Sequence, residues 1–378
     1  MNKKMLTTML VMLIAATAVT AQAGNYDIYG YLHTSLDALN NGDTTELFLA
    51  SNDSRFGVKG MQEMNENFTF IWQFESEIDI ANRSDAWEAT LANRNTFLGL
   101  KGDWGTFKAG IHDSPFYTLG RKADFFVDEL GDLRQTTFNW DRRFDKALIY
   151  STPDLNGFGI TAAYQLKNDV YMADTGALSA SAAYQNDTFF LGAAYEMIQK
   201  NNYYVAPSGH WEPTSYGNDW VEDPGFTNPE DAIGLRFVGR YTSGDLELAG
   251  MFQTLQNRDG HQYTLDNVVG DLTSITWGGG FCYTMSESYK LKSQFYAFDP
   301  NTDVDDDDAA MFALGIDHTY APDMTFYVQF AMMNNSDFTA YPIGAAPHGA
   351  MMDPYDDGDP TNSTEDPYGF SVGMIKTW

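Results

Sequence analysis

Along most of the chain, apolar and polar residues alternate with a period of two in segments of about ten residues, the spacing that sends successive side chains to opposite faces of a β-strand. In the stretch from Phe68 to Ile80, Phe68, Phe70, Trp72, Phe74, Ile78 and Ile80 share one face, and Thr69, Gln73, Glu75, Glu77 and Asp79 share the other. Ile233, Leu235, Phe237 and Tyr241 oppose Arg236 and Arg240; Tyr289, Leu291, Phe295 and Ala297 oppose Lys290, Lys292 and Gln294; Met324, Phe326, Val328, Phe330 and Met332 oppose Thr325, Tyr327 and Gln329. Each strand has one greasy side and one wet side.

The pattern predicts sixteen strands, at 26–38, 48–61, 67–80, 92–101, 105–111, 142–152, 158–167, 177–185, 188–198, 231–242, 246–257, 273–285, 289–299, 309–320, 324–335 and 368–378. Gly102-Asp103-Trp104, Asn186-Asp187, Ser243-Gly244-Asp245, Ser286-Glu287-Ser288 and Ala321-Pro322-Asp323 read as tight turns. Between them fall longer connections, including 112–141, 199–230 and 336–367. An even number of strands with short turns at one end and long loops at the other is the pattern of an outer-membrane β-barrel. About 355 residues over sixteen strands leaves roughly 22 per strand plus connection, enough for tilted spans of about 9 to 11 residues; eighteen strands fit the arithmetic nearly as well. A soluble sandwich also alternates, but it rarely needs strands this long and would carry its polar face outermost. The last strand ends on Trp378, with Phe370, Val372 and Met374 on one face and Lys376 interrupting it.

Composition narrows the class. The 378 residues carry 52 Asp and Glu against 22 Lys and Arg, a formal charge of -30, which excludes a nucleic-acid binder because counterion release needs clustered cations. With 43% hydrophobic and 15% aromatic residues, the chain has ample apolar surface to fold. The lone Cys282 can form no intramolecular disulfide. Residues 1–23, with Lys3 and Lys4, an apolar run and Ala21-Gln22-Ala23, read as a cleavable signal peptide, leaving 24–378 as one exported barrel domain. The apolar run of about 16 residues is short of the roughly 20 that span a bilayer as helix.

The chain resembles the trimeric Gram-negative general porins along its whole mature length. Asp27-Ile-Tyr-Gly30 looks like their opening strand, Ser54-Arg-Phe-Gly-Val-Lys-Gly60 like the second, and Arg94-Asn-Thr-Phe-Leu-Gly-Leu-Lys-Gly102 with Trp104-Gly-Thr-Phe-Lys-Ala-Gly110 like the fourth and fifth. Arg142-Arg-Phe-Asp-Lys-Ala-Leu-Ile-Tyr-Ser-Thr-Pro153 followed by Asn156-Gly-Phe-Gly159 resembles the pair after the third loop. The resemblance implies a 16-stranded antiparallel barrel whose third loop, here 112–141, folds inward and narrows a pore. It places Asp124, Asp128, Glu129 and Asp132 on that loop, facing Arg55, Arg94, Arg142 and Arg143 on the barrel wall. Tyr31 stands where some relatives have a lysine, so the basic row is one charge shorter, which tilts the site toward cations. Leu98 and Leu100 alternate with Arg94 and fall on what should be its wet face, a misfit that contact with the folded-in loop would explain. The resemblance further implies a homotrimer, which agrees with small or polar outward residues around Gly99, Gly110 and the first strand. By the same resemblance it is expected to sit in outer-membrane lipid and lipopolysaccharide, to pass small hydrophilic solutes and cations, and to need no cofactor.

No enzymatic constellation is found: the sequence contains no Gly-x-Ser-x-Gly elbow, His-Glu-x-x-His pair or Walker loop, and its six histidines lie apart. Asp303, Asp305, Asp306, Asp307 and Asp308 invite a calcium reading, but the glycine and terminal glutamate of an EF-hand are missing, leaving weak divalent screening. The expected function is therefore a passive, cation-preferring diffusion channel. The alternatives are a solute-specific channel and a barrel-anchored adhesin or structural protein.

Overall fold

The computed structural model describes residues 25–82, 91–137, 140–166, 176–199, 209–214, 217–222, 231–256, 273–301, 307–336, 339, 341–344, 348–354 and 365–378. The expected signal peptide lies outside them.

The strands in chain order are β1 (Asn25–Asn40), β2 (Thr45–Ser51), β3 (Arg55–Asn65), β4 (Phe68–Glu77), β5 (Thr96–Gly102), β6 (Gly105–Asp113), β7 (Arg143–Ser151), β8 (Phe158–Gln165), β9 (Ala177–Gln185) and β10 (Phe189–Ile198). After a hairpin of β11 (Gly209–Thr214) and β12 (Gly217–Glu222) come β13 (Ala232–Ser243), β14 (Leu246–Gln256), β15 (Ser274–Thr284), β16 (Tyr289–Asp299), β17 (Ala309–Ala321), β18 (Met324–Asn335) and β19 (Tyr368–Thr377). Seventeen of them form one antiparallel sheet, closed where β1 pairs β19 from Tyr31 opposite Thr377 to Asn40 opposite Tyr368. Both β2 and β3 pair with β1, so they are one stave interrupted at 52–54, and the barrel has the sixteen staves expected.

Two details depart from the pattern reading. The β11/β12 hairpin lies in the connection 199–230, forms its own two-stranded sheet and belongs to no stave. Leu98 and Leu100 are exposed on the outside of β5, with Gly99 buried between them; they are not on a wet face, and the outward residues beside Gly99 are apolar, not small or polar as expected. Arg94 precedes the first residue of β5, where strand alternation does not constrain it.

The outer surface is apolar, as the greasy faces require: Leu36, Leu49, Leu191, Phe237, Phe252, Leu314, Val328 and Val372 are all exposed. Near the short turns, Trp104, Tyr150, Tyr184, Tyr283, Tyr289 and Tyr320 add exposed rings, whose amphipathic bodies suit a lipid–water boundary. The tight packing is inside. Two apolar clusters, one around Phe116, Trp140, Leu255 and Tyr296 and one around Leu39, Phe126 and Leu130, join the inner wall to residues of the connection after β6.

Candidate functional site

The connection from β6 to β7 opens with a short helix, α1 (Pro115–Gly120), started by Ser114, whose side chain accepts from the Tyr117 N–H, and by a proline at the first turn. A 3-10 turn at Leu133–Thr136 is capped in the same way by Asp132, which accepts from the Arg134 N–H. Between them the chain turns on Asp128 at φ 62 and Gly131 at φ 87. A side chain at Gly131 would lie 2.7 Å from the Ala313 methyl, so the loop approaches the wall there too closely for any larger residue.

This loop lies against the inner face of the barrel. On β13, Leu235 and Phe237 point outward and are exposed, whereas Arg236 between them is fully buried. Its guanidinium donates to Gln253 Oε1 at 2.8 Å, to the Phe116 carbonyl at 3.0 Å and to Asp141 Oδ1 at 2.6 Å. Small residues on the inner face of β9 make room for α1: the Phe116 N–H donates to Ser179 Oγ at 3.0 Å. Farther round, Gln294 of β16 donates to Asp124 at 3.0 Å and to the Gly131 carbonyl at 2.8 Å, and Lys292 donates to both oxygens of Glu129 at 2.8 and 2.7 Å. The alternation marks Lys292 and Arg236 only as wet-face residues; their partners on the loop lie 163 and 95 positions away, beyond any local signal.

The acidic residues expected on the loop are all buried, and each is engaged. Asp124 also accepts from the Phe126 and Leu133 N–H groups at 2.8 and 3.1 Å and orders the turn; it meets none of the expected wall arginines. Asp128 accepts from Arg121 at 2.8 Å and from Arg55 at 3.4 Å. Asp132 accepts from the Asp128 N–H at 2.7 Å and from Arg121 at 3.4 Å. Burial raises the carboxyls of Asp124 and Asp132 above the ordinary range and pushes Glu129 up to about 8, with the Lys292 ammonium pulling Glu129 the other way.

Of the expected wall arginines, Arg55 meets one of the expected loop acids, Asp128. Its stave breaks at Asp53, held at φ 53, and that kink sets the Asp53 carboxylate between Arg55 at 3.0 Å and Arg94 at 2.9 Å. Arg94 also donates to Glu75 at 3.0 Å, and Arg143 pairs with Asp113 at 2.8 Å. Arg142 packs over the Trp140 ring at 5.5 Å. Asp53, Glu75, Asp113 and Arg121 escaped the sequence reading, although Glu75 stood on the wet face of the clearest strand. The Arg55 guanidinium lies 4.1 Å from the Tyr31 ring, the position lacking a lysine.

Between the loop and the β3–β7 wall, the remaining cations are aromatic-backed. Lys59 lies over Tyr29 at 5.2 Å, Lys108 over Phe97 at 4.5 Å and Arg134 over Tyr117 at 4.9 Å. Among the described residues none of the three is paired with a carboxylate. Asp303, Asp305 and Asp306 lie outside the described residues, and Asp308 accepts from Ser336. Among the described residues no three His, Cys, Asp or Glu side chains converge as a metal site.

The sequence matches the profile described as Gram-negative porin over residues 7–337. It is 30% identical over 202 residues to the outer membrane porin protein OmpD of Salmonella typhimurium, covering 50% of this chain and 54% of that one. It is 25% identical over 201 residues to the major outer membrane protein P.IB of Neisseria meningitidis, covering 48% and 57%; the chain thus spans about half the length of the curated relatives it matches. The fold is similar to that of the anion-selective porin from Comamonas acidovorans, with a TM-score of 0.73 at 15% identity over 94% of this chain and 100% of that one.

Proposed function

The chain belongs to the Gram-negative porin family and resides in the outer membrane, and on that premise we propose that it is a water-filled channel for passive diffusion of small hydrophilic solutes. One observation carries the reading: a closed barrel, apolar outside, keeps partly exposed charged side chains, Arg55, Arg143 and Asp113, on its inner face, at 22%, 21% and 21% exposure. Charges held at that exposure are wet, as the lining of a water-filled lumen is.

The passage runs between the third loop and the β3–β8 wall, with Arg55, Arg94, Arg142 and Arg143 on the wall and Asp128 on the loop; Asp124, Glu129 and Asp132 act by fixing the loop's position. The field across this gap orients polar solutes and disfavours greasy ones. The channel prefers cations, because an excess of 30 acidic residues raises the local cation concentration within a Debye length of about 10 Å at 0.1 M salt. It assembles as a homotrimer in contact with outer-membrane lipid and lipopolysaccharide, as the family resemblance implies.

A second reading, anion preference, is favoured by the aromatic-backed Lys59, Lys108 and Arg134 and by the pairing of every described acid at the gap. Swelling of proteoliposomes in neutral sugars of graded size tests the channel itself: swelling that declines with solute size supports it, and sugar-impermeable vesicles containing folded barrels sink it.

A further inference from the structure

The inner face of β1 should be wet in an open channel, and it is sealed. Tyr31, His33, Ser35, Asp37 and Leu39 alternate with outward residues such as Leu36, which is 55% exposed, yet His33 and Asp37 are 0% exposed and Ser35 is 2%. His33 is held against Tyr327 of β18; over Asp37 and Leu39 the cover is a piece of the connection after β18. There Ile343 and Met352 exchange backbone hydrogen bonds at 3.1 and 3.0 Å, closing a short loop. Ile343 and Ala350 join the apolar cluster of Leu39 and Ala50 with Phe126 and Leu130 from the tip of the third loop.

Polar contacts fix it in place. His348 Nε2 meets Asp37 Oδ2 at 3.1 Å with both side chains 0% exposed. The Gly349 N–H donates to Asn52 Oδ1 at 2.8 Å, and Asn52 and Ser35 pass the network on to Asp37 through bonds of 2.9 Å each. A side chain at Gly349 would run into the Ser51 backbone, so glycine is required for this approach. Asp37 is a buried carboxylate, and the His348 ring nitrogen is placed to hydrogen-bond it; removing either strands a buried polar partner.

We infer that residues 341–344 and 348–354 form a second inward strap that narrows the same passage from the β1 side, with the His348–Asp37 bridge as its latch. The strap and the third loop share one apolar seat, so the free cross-section depends on both. His348 and Asp37 are positioning residues that act through the strap. The inference rests on the channel reading above.

The test uses the full-length protein in planar bilayers together with thiol labelling of Ala50→Cys, a buried position under the strap, in a Cys282→Ser background. Without the latch, in His348→Ala, single-channel conductance is expected to rise about 1.5-fold because the pore widens. Labelling of the Ala50→Cys thiol by a charged, membrane-impermeant reagent is expected to quicken about tenfold or more as the strap opens locally. The exchange Asp37→His with His348→Asp is expected to return both readings toward wild type, which mere loss of side-chain bulk would not do. Gly349→Val, which leaves the bridge residues in place, is expected to mimic His348→Ala should that variant fold poorly. Unchanged labelling in His348→Ala and Gly349→Val overturns the strap, and single-variant effects that the exchange leaves uncorrected overturn the latch. Labelling is independent of conduction, so strap-dependent labelling in a wild-type protein that passes no current supports the strap and overturns the channel reading instead.

Discussion

Arg236 and Arg143 point into the same barrel and do opposite things. Arg236, on the β13 side, is 0% exposed and spends its guanidinium on Gln253, Asp141 and the Phe116 carbonyl. Arg143, on the β7 side, is 21% exposed and bound to Asp113, itself 21% exposed. One half of the inner wall is a foundation on which two loops rest; the other half faces water. Residue type and inward direction are the same in both, so what separates a buried anchor from a wet side chain is whether a loop covers it.

That contrast orders the expected effects of mutation. Replacing Arg236 with Ala strands the buried Asp141 carboxylate, and breaking a buried pair in this way costs about 3–5 kcal/mol. Hydrogen exchange of the loop amides from 115 to 136 is expected to accelerate by at least about a hundredfold, since local opening draws on that energy; protection equal to wild type would erase the distinction between the two halves. Lys292→Met is expected to do the same at the loop's far end, releasing Glu129, with a smaller effect because Gln294 still holds Asp124 and the Gly131 carbonyl.

On the open side, stability should hardly change while selectivity does. Arg143→Ala is expected to move the unfolding free energy by about 1 kcal/mol or less, as for solvent-screened pairs. It should raise conductance, admit bulkier zwitterions and strengthen cation preference by freeing Asp113. Asp128→Asn is expected to act in the other direction, releasing Arg55 and Arg121 from their shared carboxylate and lowering cation preference. Its shift should be smaller than that of Arg143→Ala, because Asp128 is fully buried. Unchanged reversal potentials in both variants would mean that current does not pass between the loop and this wall.

The staves were legible because burial against lipid on one side and water or loops on the other writes a period of two into the sequence, as in Phe68 to Phe74 or Met324 to Phe330. The break at Asp53 was not, since a single kinked residue leaves the alternation on either side intact. Arg94 misled for a related reason: alternation was extended into a segment that precedes the strand. The loop contacts were invisible in principle, for Lys292 with Glu129 and His348 with Asp37 join positions 163 and 311 apart, and no local pattern encodes such pairings. The resemblance to porins supplied the expectation of an inward loop but nothing about Arg121, which holds Asp128 and Asp132 together from within it.

The central claim is that ions cross along the uncovered half of this wall, drawn by the acidic surroundings past a gap whose own acids are paired. The reversal potential of the wild-type protein under a potassium chloride gradient tests it most directly. Cation selectivity at 0.1 M that fades toward none at 1 M is expected, because the Debye length shrinks from about 10 Å to about 3 Å over that range. An anion-selective potential at low salt would contradict it and place the controlling charge on Lys59, Lys108 and Arg134 instead.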